Sequence, residues 1–111
     1  MFDALSHWCF KNYWSDRTYY MSGKHGDLVM ECSWDPAGKI GTADIVVFER
    51  TGSGRFTRRK TQICERLIDR HDMRRMLRAA GFRKVEEESW SPWSDQWREK
   101  SNDRILWTAV K

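Results

Sequence analysis

The sequence DRHDMRRMLRAAGF, residues 69–82, decides the fold because it holds the clearest periodic pattern in the chain. Asp69 precedes the pattern, as a helix-capping residue does, and Gly81 follows it, where a left-handed residue ends many helices. We therefore predict a helix over residues 69–80 that stops sharply. Its apolar residues recur at the spacing of one helical face, and they are Met73, Met76, Leu77 and Ala80.

Two strands are predicted after this helix. The first covers residues 83–89 and the last covers residues 104–110. The last run, ILWTAV, is apolar on both faces, which is typical of a strand in the middle of a covered sheet with neighbours on both sides. A polar loop separates the two strands and contains three tryptophans, Trp90, Trp93 and Trp97.

Short runs rich in Tyr, Val, Ile, Phe and Thr come before the helix, and a glycine-bearing turn closes each of the first three. This alternation predicts an antiparallel meander of four strands. The opening segment, Phe2–Trp14, has apolar residues at helical spacing and predicts a short helix or helical turn. The four predicted strands cover Arg17–Met21, Asp27–Trp34, Ile40–Arg50 and Arg55–Leu67.

The order of helix, AAGF turn, strand, polar loop and closing ILWTAVK resembles the tail of class I S-adenosylmethionine-dependent methyltransferases. CERLIDRHDM, residues 64–73, is similar to the family segment that leads into the last helix, and MFDALSHW resembles an earlier strand exit. The resemblance implies that the two final strands form an antiparallel pair. It also implies that the meander is an auxiliary sheet over the substrate pocket.

The resemblance covers nearly the whole chain but maps only to the C-terminal half of such an enzyme. Family members hold the cofactor with a glycine-rich loop between a strand and a helix. The only G-x-G here is Gly52–Gly54, and the strand-like RFTRRKTQI follows it, so we interpret it as a hairpin turn. This chain is therefore expected to bind no cofactor, whereas the parent enzyme would use S-adenosylmethionine.

Composition indicates one folded domain over residues 1–111, with 40% hydrophobic and 32% charged residues. The net charge is +4, and basic residues are dense only at Arg55–Lys60. We interpret this run as a solvated strand face. Interleaved aromatics leave a nucleic-acid contact open as an alternative. No signal peptide or membrane span is expected.

The chain has three cysteines, which are far apart in sequence: Cys9, Cys32 and Cys64. Their odd number and wide spacing favour a reducing, cytoplasmic setting. We therefore expect no disulfides and no zinc site.

Aromatic residues cluster on the lead-in to the meander and on its first two strands. The resemblance implies that they form the walls of an acceptor pocket. Two arginines, Arg66 and Arg17, have the geometry to pair with a substrate carboxylate. The alternatives are a sheet-to-helix core for the aromatics and solvated positions for the arginines. No residue is assigned a catalytic role. The candidate substrate-binding residues are Tyr13, Trp14, Tyr19, Tyr20, Trp34 and Arg66.

The sequence thus predicts an α+β fold with a four-stranded antiparallel meander, one helix over 69–80, and a closing antiparallel pair over 83–89 and 104–110. Its expected role is the substrate side of a truncated methyltransferase that acts on a small acceptor and is inactive alone. Its partner would be a second copy, forming a homodimer, or a separately encoded cofactor-binding half. The alternative is a standalone ligand-binding or protein-interaction module with an aromatic-lined sheet.

Overall fold

A computed structural model describes residues 1–90 and 103–111 of the chain. The chain forms two compact units: the closing unit, made of Met1–Asn12 and Leu67–Lys111, and the meander unit, Tyr13–Arg66. The prediction of a single domain stays a prediction. In chain order the elements are β1 (Phe2–Leu5), α1 (His7–Cys9), a π-helical turn (Phe10–Trp14), β2 (Arg17–Gly23), β3 (Gly26–Asp35), β4 (Ile40–Arg50), β5 (Phe56–Arg66), α2 (Arg70–Ala79), β6 (Lys84–Trp90) and β7 (Arg104–Val110).

The meander unit is a four-stranded antiparallel sheet in the order β2-β3-β4-β5. The predicted meander is confirmed, and each observed strand begins and ends within two residues of its prediction. Its core consists of three buried residues on the two central strands, because only those strands have a neighbour on each side. These residues are Cys32, Ala43 and Ile45.

The closing unit contains a three-stranded antiparallel sheet in the order β1-β7-β6. The central position of β7 confirms the reading of its apolar sequence, and Trp107 at its middle is only 1% exposed. The predicted closing pair, β6 and β7, is also present. Strand β1 of the same chain pairs with β7, so β7 does not need a second copy of the chain to supply that neighbour. The homodimer stays a prediction.

Helix α2 buries Met73 against Ile105 and Trp107 of β7. Its predicted end is confirmed in detail. Gly81 has a φ of 92°, its N–H donates to the carbonyl of Arg78 at 3.0 Å, and the N–H of Phe82 donates to the carbonyl of Leu77 at 3.1 Å. These two bonds define a Schellman ending. Asp69 occupies the N-cap position as predicted, although its side chain makes no capping hydrogen bond.

The opening segment differs from its prediction, since Phe2–Leu5 is a strand and not a helix. Four residues are too few to distinguish the two periods, and pairing with β7 decides the conformation. Helical structure begins only after Ser6, whose buried hydroxyl accepts a hydrogen bond from the N–H of Cys9 at 3.1 Å. The predicted tryptophan loop lies largely outside the described residues, and Trp90 ends β6.

Candidate substrate-binding site

All six predicted substrate-binding residues belong to the meander unit. The strand register divides them between the two faces of its sheet, because side chains alternate along a strand and directly opposed residues share a face. Tyr19 lies opposite Met30, and Met30 lies opposite Ile45. We call the face that carries these residues and the buried Cys32 and Ala43 the core face, and the other face the second face.

Three of the predicted aromatics belong with the core face. Trp14 and Tyr19 pack against the buried cluster, and Trp34 lies on the same face opposite Gly41. The alternation and register thus place aromatic rings along one face, where they can contact an apolar or cationic group.

A hydrogen bond links the fourth aromatic to this group. The hydroxyl of Tyr19 donates to the backbone carbonyl of Tyr13 at 2.7 Å. The bond fastens the end of the π-helical turn to β2, just before the tight turn in which Asp16 has a φ of 47°. The structure therefore brings Tyr13, Trp14 and Tyr19 together locally.

Tyr20 and Arg66 do not join these residues, since both lie on the second face. Tyr20 lies opposite Val29, and Arg66 lies opposite Ile40. Two cations lie on the core face: Arg17, which is exposed and opposite Cys32, and Arg59, which lies opposite Val47. Arg17 is the second arginine that the sequence offers as a partner for a substrate carboxylate, and counting two residues back from Tyr19 places it on the core face.

The buried thiol of Cys32 lies at the centre of the core face. Burial raises the pKa of Cys32, so the thiol stays protonated near neutral pH and acts as a small apolar side chain. All three cysteines are free thiols, and only Cys64 is exposed. Within residues 1–90 and 103–111, no three His, Cys, Asp or Glu side chains come close enough to hold a metal ion.

The G-x-G segment lies in the connection between β4 and β5. The N–H of Thr51 donates to the carbonyl of Arg55 at 2.8 Å, and the N–H of Gly54 donates to the carbonyl of Thr51 at 3.1 Å. The connection therefore joins two antiparallel strands, and not a strand and a helix as a cofactor-binding loop does. The interpretation of Gly52–Gly54 as a hairpin turn is confirmed.

Comparison with solved structures relates this architecture to a known fold. An S-adenosylmethionine-dependent methyltransferase from Clostridium acetobutylicum ATCC 824 superposes with a TM-score of 0.75 at 16% sequence identity. The fold of this chain is methyltransferase-like. The match covers 97% of this chain but only 42% of the methyltransferase chain. No family model matches the sequence, and no curated protein matches it significantly. None of the helices described is long and apolar enough to cross a membrane.

Proposed function

We propose that this chain is the substrate-side, C-terminal half of an S-adenosylmethionine-dependent methyltransferase that acts on a small acceptor in the cytoplasm. The observation that carries the proposal is the likeness in fold, which extends over 97% of this chain and 42% of the methyltransferase. Methyl transfer depends mainly on holding the acceptor in line with the methyl group. A half that supplies only acceptor contacts would therefore be inactive alone.

The location of the glycines supports the absence of a cofactor site from this chain. A cofactor loop needs glycines between a strand and a helix, so that the backbone can approach the ligand closely. The G-x-G of this chain is used for the β4–β5 hairpin. Binding of S-adenosylmethionine would then require a second polypeptide segment, encoded with this chain or separately.

The edge strand β1 is the proposed joining point for that second segment. Among the strands that the structure describes, it lies at one end of the order β1-β7-β6, and a further strand can pair with the backbone groups of its outer edge. Phe2 on this strand is partly exposed, although it is a large apolar residue. A strand added beside β1 would extend the sheet and bury apolar surface that water now reaches.

The acceptor is proposed to contact the core face of the meander. Trp14, Tyr19 and Trp34 would exclude water from the acceptor, and Arg17 would pair with a carboxylate on it. Arg66 and Tyr20 are not part of this proposal because they lie on the second face. The same apolar face would equally suit a standalone binding module, which would need no cofactor.

Isothermal titration calorimetry tests the cofactor part of the proposal. S-adenosylmethionine titrated into the purified chain should give no heat. The chain co-purified with a co-expressed segment that contains a strand, a G-x-G-x-G loop and a helix should bind it saturably. Saturable micromolar binding by the chain alone would overturn the proposal, and so would an absence of binding by the pair.

Substitutions within the active pair test the acceptor contacts. Trp34→Ala should raise KM for the acceptor by about tenfold, a loss of about 1.4 kcal/mol of contact with the half-buried indole. Tyr20→Ala is the matched control on the second face and should leave KM unchanged. Equal effects of the two substitutions would exclude the core face as the acceptor site.

A further inference from the structure

The second face of the meander carries apolar and cationic side chains side by side at the end nearest the β4–β5 turn. Three successive pairs across β4 and β5 each combine one apolar residue with one cation. The pairs are Val46 with Lys60, Phe48 with Arg58, and Arg50 with Phe56. In the last pair, the guanidinium carbon of Arg50 lies 5.3 Å from the centre of the Phe56 ring.

Two rings on this face are open to solvent. Tyr20 is 65% exposed and Phe56 is 49% exposed. Tyr20 belongs to the row of residues that runs through Val29 and Val46 to Lys60. A solvated face of an antiparallel sheet is normally polar, so exposed rings next to cations on a flat surface indicate a ligand with both apolar and anionic parts.

The neighbouring turns increase the positive charge at this end of the sheet. The N–H of Arg50 donates to the carbonyl of His25 at 2.8 Å, so the β2–β3 turn lies beside the end of β4. That turn adds Lys24, and the β4–β5 turn adds Arg55, both exposed. The cations at this end therefore lie on two turns and on the second face.

Four carboxylates lie near these cations, and two of them, Glu31 and Asp44, oppose each other on the second face one row beyond Tyr20 and Lys60. Asp27, on the second face, accepts a hydrogen bond from the hydroxyl of Ser22 at 2.6 Å. Glu49 lies on the core face and pairs with Arg59 at 3.4 Å. The described cations at this end outnumber these acids, so the surface is complementary in charge to a polyanion.

We propose that this surface binds single-stranded nucleic acid, with bases stacked on Tyr20 and Phe56 and phosphates paired with Arg58 and Lys60. Base stacking on aromatic side chains of an open sheet, with cations along the backbone path, is a general solution for single strands. The major groove of a B-DNA duplex admits an α-helix or a two-stranded ribbon, both narrower than this four-stranded sheet. A membrane is disfavoured because the aliphatic residues of this face, Val29 and Val46, are half-buried.

A purely structural explanation competes with this proposal. β5 is an edge strand, and arginine or lysine on an edge prevents pairing with other chains. That role requires the charges but not the exposed rings of Tyr20 and Phe56. The two explanations therefore differ in whether the rings contribute to binding. The proposal goes beyond the proposed methyl transfer and does not depend on it.

Fluorescence anisotropy with a labelled 20-nucleotide poly(dT) strand, without S-adenosylmethionine, tests the proposal. We expect saturable binding at 50 mM salt that weakens by about 20- to 50-fold at 200 mM, as release of counterions from three or four phosphates predicts. A duplex of the same length should bind at least tenfold more weakly. No binding at 50 mM salt, equal binding to the duplex, or binding only to anionic phosphatidylserine vesicles would overturn the proposal.

Variants locate the binding to the second face. Tyr20→Ala and Phe56→Ala should each weaken binding fivefold or more, whereas Tyr20→Phe, which keeps the ring, should restore it. Arg58→Ala should weaken binding and lower the salt dependence by about one phosphate contact. Arg78→Ala on α2 is the charge-matched control and should change affinity less than twofold. If Tyr20→Ala unfolds at the same temperature as the wild type and binds the strand with unchanged affinity, the proposal is overturned. The cations of β5 then serve only to protect the sheet edge.

Discussion

The N–H of Phe82 donates to the carbonyl of Leu77 across the end of α2, at 3.1 Å, and this bond fixes where the helix stops. The bond requires the intervening Gly81 to adopt a φ of 92°. Since glycine adopts such angles without a steric cost, the choice of residue at one position determines the path from α2 into β6.

Replacement of Gly81 should therefore destabilise the protein through backbone strain alone. Within residues 1–90 and 103–111, no heavy atom outside the adjoining residues lies within 4 Å of the position a Cβ would take, so these residues cause no clash. Gly81→Ala should lower the free energy of unfolding by about 1–2 kcal/mol. Gly81→Asn should cost less, because Asn tolerates a left-handed conformation. Urea unfolding of both variants checks the order, and equal losses would contradict it.

The local signals in the sequence predicted most of the fold. Glycine turns located the meander strands, and the spacing around Met73 located α2, because both signals act over a few residues. β1 was missed because its partner is distant in sequence. Phe2 pairs with Trp107, and nothing near Phe2 in the sequence indicates that pairing.

The six predicted substrate-binding residues stay a prediction, but the structure divides them between the two faces of the sheet. Tyr19 and Tyr20 are consecutive in one strand and so must lie on opposite faces, which the sequence alone already implies. That Arg66 shares the face of Tyr20 and not that of Trp34 depends on the register between β3, β4 and β5. Trp34 and Arg66 are 32 residues apart in the sequence. The register between their strands is set by pairing in space, so their relative faces could not be predicted from the sequence.

The hydrogen bond from Tyr19 to the carbonyl of Tyr13 should contribute measurably to stability. Tyr19→Phe removes the hydroxyl and keeps the ring, so it should lower the free energy of unfolding by about 0.5–1.5 kcal/mol. Tyr20→Phe is the matched control, since Tyr20 is 65% exposed, and it should change stability by less than about 0.5 kcal/mol. Chemical denaturation measures both, and a larger loss in Tyr20→Phe would be inconsistent with the assigned bond.

Glu87 on β6 joins that strand to α2 through two arginines. Its carboxylate accepts hydrogen bonds from Arg70 and Arg74, each at 3.3 Å, and its side chain is only 14% exposed. Glu87→Gln should lower the free energy of unfolding by about 1–2 kcal/mol, because charge-assisted bonds to a largely buried carboxylate are lost.

The adjacent residue provides the control for Glu87. Glu86 pairs with Lys84 at 3.0 Å, but its side chain is 59% exposed. Glu86→Gln should therefore cost less than about 0.5 kcal/mol. Thermal and urea unfolding of the two variants at low and high salt compare them directly. The loss of unfolding free energy in Glu87→Gln should persist at high salt, since partly buried ion pairs are screened less. If high salt removes that loss, the ion pairs of Glu87 are no stronger than exposed surface pairs.

The three cysteines should differ in reactivity according to their burial. Cys64 is exposed, whereas Cys9 and Cys32 are buried. Burial also raises the pKa of Cys32. Its thiolate therefore forms only above the pKa of an ordinary thiol, which is about 8.5. Ellman's reagent at pH 8 should therefore modify one thiol rapidly and the other two only after denaturant is added. Cys64→Ser should remove the rapid phase.

The raised pKa of Cys32 also predicts how stability depends on pH. As the pH rises past about 8.5, the thiol ionises in the unfolded state before it does in the folded state, so the contribution of Cys32 to the free energy of unfolding should fall. A Cys32→Ala variant should lack that part of the decrease. Rapid modification of two thiols in the native protein would contradict the burial of Cys9 and Cys32.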